Sequence, residues 1–247
     1  MPDPTAIRGV IFDLGSTLIH RTGLELEREK CAGLAAFAAG QFACDPDTLA
    51  ARLLAIRLEA WRRAEEEQVE YLASRSIAEA FAAAGIPADD ATLGQAEAVF
   101  FEPEVRISRL YPGARETLDA LAGMDLRLGM ISNATSHQLV QDLVRQQGIG
   151  GYFDPLVTSA GFGRPKPHPS IFTHVLEAWG ISAGQAVMVG DTLGADVLGA
   201  AGVGMRSILV DIEPNPDNPR FSETVRASAR VTDLRDVPDL IRRWRGG

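Results

Sequence analysis

The sequence lacks the features of a membrane protein and of a disulfide-bonded secreted protein. No apolar run reaches the roughly 18–20 residues that span a bilayer. Two cysteines among 247 residues, Cys31 and Cys44, are too few for a disulfide framework. The opening Met1-Pro2-Asp3-Pro4-Thr5 has neither the basic nor the apolar region of a signal peptide. These absences predict a cytoplasmic protein with free thiols.

Lysine is also scarce, since Lys30 and Lys166 are the only two and the other basic residues are arginines. The formal net charge of −9 and the pI of about 5.0 argue against nucleic acid as a partner. The chain is 46% hydrophobic and 23% charged, as in ordinary globular proteins. At this length it can bury a sizeable core in one large or two modest domains.

The chain contains two kinds of sequence pattern, one typical of helices alone and one typical of strands alternating with helices. An apolar stretch at 7–12 predicts a strand buried on both faces. From about 22 to 102, apolar residues recur at helical spacing between breakers, which predicts a four-helix bundle. From about 112, strands and helices alternate, which predicts a parallel α/β sheet. The predicted strands are 126–132, 156–158, 186–190, 207–210 and one near 230–231, the predicted helices are 112–123, 135–147, 169–179, 194–201 and 236–244, and residues 213–222 read as a surface loop.

Polar residues follow several of these strands. Asp13 ends the first, Ser132 and Asn133 end the second, and Asp191 follows the strand at 186–190, with Asp196 five residues later. Ligands bind beyond the carboxyl ends of strands in open α/β sheets, so we expect these groups to meet there. Carboxylates, a hydroxyl, an amide and the Lys166 ammonium suit phosphoryl transfer, with Mg²⁺ between the nucleophilic carboxylate and the phosphoryl dianion.

At these positions the chain resembles the haloacid dehalogenase-like hydrolases. Asp13 and Thr17 fit the first motif of that family, Ile131-Ser132-Asn133 the second, Lys166 within Arg-Pro-Lys-Pro the third, and Gly190-Asp191 with Asp196 the fourth. The four motifs occur in order over residues 7–211. The resemblance implies a Rossmann-like core at 1–19 and 106–247, with a mobile helical cap at 20–105 that closes over the site.

The resemblance also implies roles for single residues. Asp13 would be the nucleophile that forms an aspartyl-phosphate, and Ser132, Asn133 and Lys166 would hold the phosphoryl group. Asp13, Asp191 and the backbone carbonyl of Gly15 would bind Mg²⁺, with Asp196 orienting Lys166 or metal-bound water. The implied activity is hydrolysis of a small phosphorylated molecule.

Gly15 departs from the family pattern, because phosphatases of the family usually carry a general-acid aspartate there. Four functions stay open: a phosphatase whose leaving group needs little protonation or whose acid comes from the cap or the substrate, a 2-haloacid dehalogenase, a phosphonatase, and a weakly active or non-catalytic binder of phosphorylated ligands. Dehalogenases of the family usually carry an aromatic residue at the position of Gly15. A phosphonatase needs a cap lysine for a Schiff base, and Lys30 is the one candidate, although it reads as a solvated helix residue.

Other residues could contact a substrate from the helical region, although a helical tryptophan usually packs in a core and arginine clusters are usually solvated. They are Arg57, Trp61, Arg62, Tyr71 and Arg75. His20 could face the cleft, whereas His137, His168 and His174 read as structural or surface residues.

Overall fold

The computed structural model describes residues 6–20 and 23–246. The strands in these ranges are β1 (Gly9–Phe12), β2 (Arg127–Ser132), β3 (Leu156–Thr158), β4 (Ala186–Gly190), β5 (Arg206–Val210) and β6 (Ala229–Val231). They form one sheet in the order β3-β2-β1-β4-β5-β6, and each neighbouring pair is parallel. The predicted parallel α/β sheet is confirmed. The strand order switches between β1 and β4, which is where ligands bind in such sheets.

Four helices separate β1 from the rest of the sheet: α1 (Leu24–Ala39), α2 (Pro46–Glu67), α3 (Ala73–Ala83) and α4 (Asp90–Ile107). Both α1 and α3 pack against α2 and α4, so the four helices form a bundle. Asp45 and Asp89 precede α2 and α4, and each carboxylate accepts a hydrogen bond from the backbone N–H three residues later. The predicted series of four helices is therefore observed, with the last one extending to Ile107.

The remaining helices alternate with the strands. They are α5 (Ala114–Ala122), α6 (His137–Gln146), α7 (Ser159–Phe162), α8 (Pro169–Trp179), α9 (Leu198–Val203) and α10 (Val237–Gly246). Val10 and Phe12 pack in the apolar cluster that includes residues of α5, α6 and α10, whereas Ile11 packs with residues of α8 and α9. Both faces of β1 are buried, which explains its continuous apolar sequence.

Several predicted boundaries need correction. The predicted helix at 194–201 is a π-helical turn (Leu193–Val197) followed by α9. α7 was not predicted, because four residues carry no periodic signal. The 213–222 segment is not simply a surface loop, since Asn215 is 9% exposed.

Two sequence predictions concern residues outside the described ranges: the absence of a signal peptide at residues 1–5, and the beginning of the helical region at 21–22. Of the helices described, none combines the length and apolar character needed to cross a bilayer. Cys31 is buried, Cys44 is half-buried, and neither forms a disulfide.

Candidate active site

The carboxyl ends of β1, β2 and β4 bring three candidate residues together. Phe12, the last residue of β1, pairs with Met130 of β2 and Val189 of β4. The backbone N–H of Asp13 extends this ladder by donating to the carbonyl of Val189 at 2.9 Å. Ser132 and Asp191 therefore end or follow the strands on either side of Asp13.

Lys166 crosses from the 163–168 loop into this cluster. Its Nζ donates to Asp13 Oδ1 at 2.6 Å, to Asp196 Oδ1 at 2.7 Å and to the Ile131 carbonyl at 2.8 Å. Burial alone would lower the pKa of Lys166, but the charges of Asp13 and Asp196 outweigh it and the pKa is raised. Lys166 is therefore a fixed cation next to the candidate nucleophile.

The π-helical turn after β4 places Asp196. The backbone N–H groups of Asp196 and Val197 both donate to the Thr192 carbonyl, at 2.9 and 3.2 Å. The Asp196 carboxylate accepts from Lys166 through Oδ1 and from the Thr192 backbone N–H, at 3.0 Å, through Oδ2. A Cβ at Gly190 would lie 2.3 Å from Asp196 Cγ, so only glycine at this position lets the carboxylate pack there.

Two residues that the sequence analysis did not select bind Asp191. Asn215 Nδ2 donates to Asp191 Oδ2 at 2.7 Å and to Thr192 Oγ1 at 3.1 Å. Asn218 Nδ2 donates to the backbone carbonyl of Asp191 at 2.8 Å. The loop after β5 thus fixes the orientation of this carboxylate. This loop follows β5, which neighbours β4 in the sheet, and that place in the sequence could have identified the loop as part of the site.

Asp13, Asp191 and Asp196 form a buried triad whose carboxylate oxygens, one from each residue, lie within 4.8 Å of one another. Burial, followed by the charges of Asp13 and Asp196, raises the pKa of Asp191 to about 7. Burial also raises the pKa of Asp196, despite the opposing charge of Lys166. Three carboxylates facing one ammonium leave excess negative charge, so this donor set fits a divalent cation such as Mg²⁺.

The other predicted site residues lie around this triad in different settings. Asn133 exchanges two hydrogen bonds with the backbone of Lys166, at 2.8 and 2.9 Å, so its amide holds the lysine loop. Thr17 is buried with Oγ1 3.5 Å from Asp191 Oδ1. Ser132 and Gly15 line the cavity above Asp13. A Cβ at Gly15 would meet no atom within 4 Å.

A cavity of about 680 Å³ extends from the triad to the helical bundle. Its bundle side contains Arg57 and Lys30, which are both buried. The expectation that Lys30 is solvated is therefore wrong, and so is the expectation of a solvated face for Arg57. Each continues an apolar series at i+4 spacing, between Leu26 and Leu34 for Lys30 and after Leu49 and Leu53 for Arg57. That series was the missed signal that both residues lie on a buried helix face.

The remaining bundle candidates divide between this cavity and other surfaces. Trp61 lines the cavity and is 38% exposed, so it is not a core residue. Tyr71 and Arg75 line a separate groove, and exposed Arg62 pairs with two glutamates of its own helix. His20 lies at the cavity rim with Nδ1 3.3 Å from Glu213.

The other three histidines pack outside the cavity. His168 Nδ1 lies 3.3 Å from the Ser170 backbone N at the start of α8. His137 Nδ1 lies 2.8 Å from Thr158 Oγ1, and the His174 ring packs 5.2 Å from that of Phe162.

Comparison with known proteins gives a consistent family match. A model of haloacid dehalogenase-like hydrolases matches residues 7–204. The chain is 37% identical over 100 residues to a glyceraldehyde 3-phosphate phosphatase of Pyrococcus abyssi, covering 40% of this chain and 42% of that protein. It is 35% identical over 146 residues to a phosphoserine phosphatase of Thermus thermophilus, covering 58% of this chain and 54% of that protein. The chain thus spans about half the length of these relatives.

Among solved structures, a 2-haloacid dehalogenase from Pseudomonas syringae pv. Tomato DC3000 superposes with a TM-score of 0.71 at 26% identity. The superposition covers 96% of this chain and 99% of that one. Relatives of both reaction types, phosphate-ester hydrolysis and dehalogenation, are therefore similar to this chain.

Proposed function

The chain belongs to the haloacid dehalogenase-like hydrolases, and we propose that it is a Mg²⁺-dependent phosphatase that hydrolyses a small-molecule phosphomonoester through an aspartyl-phosphate at Asp13. The observation that carries this proposal is the placement of the Asp13 carboxylate. It lies 2.6 Å from the Lys166 ammonium and within 4.8 Å of two further buried carboxylates. In dehalogenation the carboxylate attacks carbon, so no cation is needed to bind a phosphoryl group. The excess negative charge of these three carboxylates favours a bound cation, which suits phosphoryl transfer.

Asp13, Asp191 and the backbone carbonyl of Gly15 would hold the metal ion. Bound Mg²⁺ would offset the repulsion between Asp13 and a phosphoryl dianion and stabilise the charge of the transition state. Asp196 is committed to Lys166 and the Thr192 backbone, so its role is to hold the ammonium against Asp13. Asn215 would keep Asp191 in a single orientation toward the ion.

The reaction has two displacements at phosphorus. In the first, an oxygen of Asp13 bonds to phosphorus as the ester P–O bond breaks, and the departing oxygen takes a proton from solvent. In the second, water attacks phosphorus, the Asp13 carboxylate leaves, and the proton of that water passes to the phosphate product. A carboxylate at position 15 would protonate the departing oxygen in the first displacement and accept the proton of water in the second, so Gly15 would slow both.

We propose that residues 20–105 form the cap, and that 1–19 with 106–247 form the catalytic core. Support comes from contacts between the bundle and the loop that follows Ser132 and Asn133. Arg57 Nη2 donates to Thr135 Oγ1 at 3.2 Å, and the Ala73 backbone N–H donates to the Thr135 carbonyl at 2.9 Å. These contacts would exclude water from the closed site.

Phosphate release from a panel of phosphomonoesters, with Mg²⁺ and with EDTA, tests the function. We expect Mg²⁺-dependent turnover that Asp13→Asn lowers by about 10³-fold or more, because the amide is a far weaker nucleophile. The matched control is Asp125→Asn, since Asp125 is exposed and its φ of 54° suits asparagine equally well. Full activity of the Asp13→Asn protein would refute the proposed nucleophile.

Dehalogenation is the second candidate, favoured by the superposition on the 2-haloacid dehalogenase and by the lack of an acid at Gly15. Chloride release from 2-chloropropionate in EDTA would support it over the phosphatase. A phosphonatase is disfavoured because the Lys30 ammonium binds both Glu27 and Glu104 at 2.8 Å, which leaves no free amine for a Schiff base. Binding of phosphate esters without turnover would favour a non-catalytic role.

A further inference from the structure

A second cluster of ionised side chains faces the candidate active site from the helical bundle. Lys30 Nζ lies 2.8 Å from one oxygen of Glu27 and 2.8 Å from one of Glu104. Arg57 Nε donates to the other oxygen of Glu27 at 2.8 Å. The four side chains are between 2% and 15% exposed. Two carboxylates and two cations thus neutralise one another in the cavity wall opposite Asp13.

The cavity as a whole carries more carboxylates than cations. Among the described residues that line it, six are acidic and three are lysine or arginine: Asp13, Glu27, Glu104, Asp191, Asp196 and Asp217 against Lys30, Arg57 and Lys166. Each of those three cations is already within 2.8 Å of at least one carboxylate. Lys166 and the proposed metal would be shared between the three sheet-side carboxylates and the phosphoryl dianion. No described cation in the lining is then left for a second anionic group.

A second anion on the substrate would therefore have to compete with Glu27 or Glu104 for a cation already bound. Breaking a buried ion pair leaves an uncompensated charge, which is strongly unfavourable. An uncharged polar group would meet no such penalty. The charge of Arg57 would then stay paired with Glu27.

We propose that the site selects phosphomonoesters whose organic part is uncharged, and that Glu27 and Glu104, by pairing with Lys30 and Arg57, discriminate against esters with a second anionic group. This inference rests on the proposed phosphatase function, since it assigns the substrate class of that site. The selection is by the absence of a free cation and by the cost of breaking a buried ion pair, rather than by a contact unique to one substrate.

A matched pair of esters tests the inference. Glycerol 3-phosphate carries a hydroxymethyl group where 3-phosphoglycerate carries a carboxylate. We expect kcat/KM with Mg²⁺ to be at least about tenfold higher for glycerol 3-phosphate, because the carboxylate of 3-phosphoglycerate would have to compete for a cation in a buried ion pair. Equal values, or a preference for 3-phosphoglycerate, would overturn the inference. Turnover of neither ester nor of any other phosphomonoester would instead refute the phosphatase function.

Glu104→Gln tests whether the bundle carboxylates set the preference. The substitution leaves Lys30 paired with Glu27 and removes its second carboxylate, so the preference should shrink about tenfold through a gain on 3-phosphoglycerate. The matched control is Glu102→Gln on the same helix, since Glu102 is 60% exposed and pairs with Arg106 outside the cavity. An unchanged preference in the Glu104→Gln protein, or the same change in the control, would overturn the assigned role.

Arg21 follows His20 in sequence and lies outside the described ranges. Arg21→Gln therefore tests whether a cation beyond the described residues affects the preference. The inference expects the preference for glycerol 3-phosphate to be unchanged in this variant. If the wild-type protein accepts 3-phosphoglycerate and Arg21→Gln abolishes that acceptance, a cation beyond the described residues provides an anion subsite and the inference is wrong.

Discussion

Restoring a carboxylate at position 15 should show what its absence does to the reaction. Gly15 lines the cavity, and a Cβ there would meet no atom within 4 Å. Its backbone is not in the left-handed region, so Gly15→Asp imposes no conformational strain. Asp13 and Asp191 line the same cavity, and their charges would raise the pKa of the new carboxyl group and favour its protonated form. The site can therefore accept a general acid in both geometry and charge.

The expected gain depends on the leaving group. A positioned general acid contributes roughly 10²–10⁴-fold when the departing oxygen is strongly basic. An added carboxylate also repels the phosphoryl dianion, so we expect the lower part of that range, about 10–100-fold in kcat, for an alkyl ester. An aryl oxygen departs as a stable anion and should gain less than about threefold.

The assay is initial-rate phosphate release at saturating Mg²⁺ from glycerol 3-phosphate and from 4-nitrophenyl phosphate. Gly15→Asn is the matched control, because it adds nearly the same volume without an ionisable proton. A gain restricted to the alkyl ester and to the aspartate variant supports the reasoning. Equal gains on both esters would argue against leaving-group protonation by residue 15. An asparagine variant as active as the aspartate one would show that the residue acts through packing rather than proton transfer.

Three further predictions follow from buried contacts. Asn215→Ala removes the amide that donates to Asp191. Calorimetric titration of this variant without substrate should show Mg²⁺ binding at least about tenfold weaker than in the wild-type protein. The metal-free protein should melt at a higher temperature at pH 6 than at pH 8. Burial and the neighbouring carboxylates raise the pKa of Asp191 to about 7 in the folded protein. The destabilising charge of Asp191 is therefore lost as the pH falls below that value. Asp191→Asn should remove most of this difference, and an unchanged difference would contradict the assignment. Arg57→Gln leaves Glu27 short of a partner and should lower the free energy of unfolding by about 3–5 kcal/mol in urea titrations. The exposed Arg62→Gln should change it by less than about 1 kcal/mol.

The sequence was sufficient to predict the sheet and the meeting of its strand ends. Uninterrupted apolar strands that alternate with helices permit few arrangements, and parallel strands bring all their carboxyl ends to one edge. Asp13, Ser132 and Asp191 could therefore be grouped without coordinates. Lys166 could not be placed by strand order, and its grouping depended on the motif in which it stands.

The helical side of the site could not be predicted in the same way. Helical periodicity marks a buried face but does not say whether that face borders a core or a cavity. Charge alone predicts solvated side chains for Lys30 and Arg57, although each lies at i+4 spacing from buried leucines of its own helix. The role of Asn215 depends on the path of an irregular loop, for which sequence pattern carries little information.

The two sides of the cavity differ in how their charge is balanced, and under the proposed phosphatase function that difference separates two tasks. On the sheet side, Lys166 only partly offsets three carboxylates, so a divalent cation would complete the charge balance. On the bundle side, Glu27, Glu104, Lys30 and Arg57 are balanced before any ligand arrives. Phosphoryl binding is thus assigned to the sheet edge and rejection of further charge to the bundle. Gly15 belongs to neither balance, so its missing acid would lower the rate on basic leaving groups while leaving metal binding and the discrimination against a second anionic group intact.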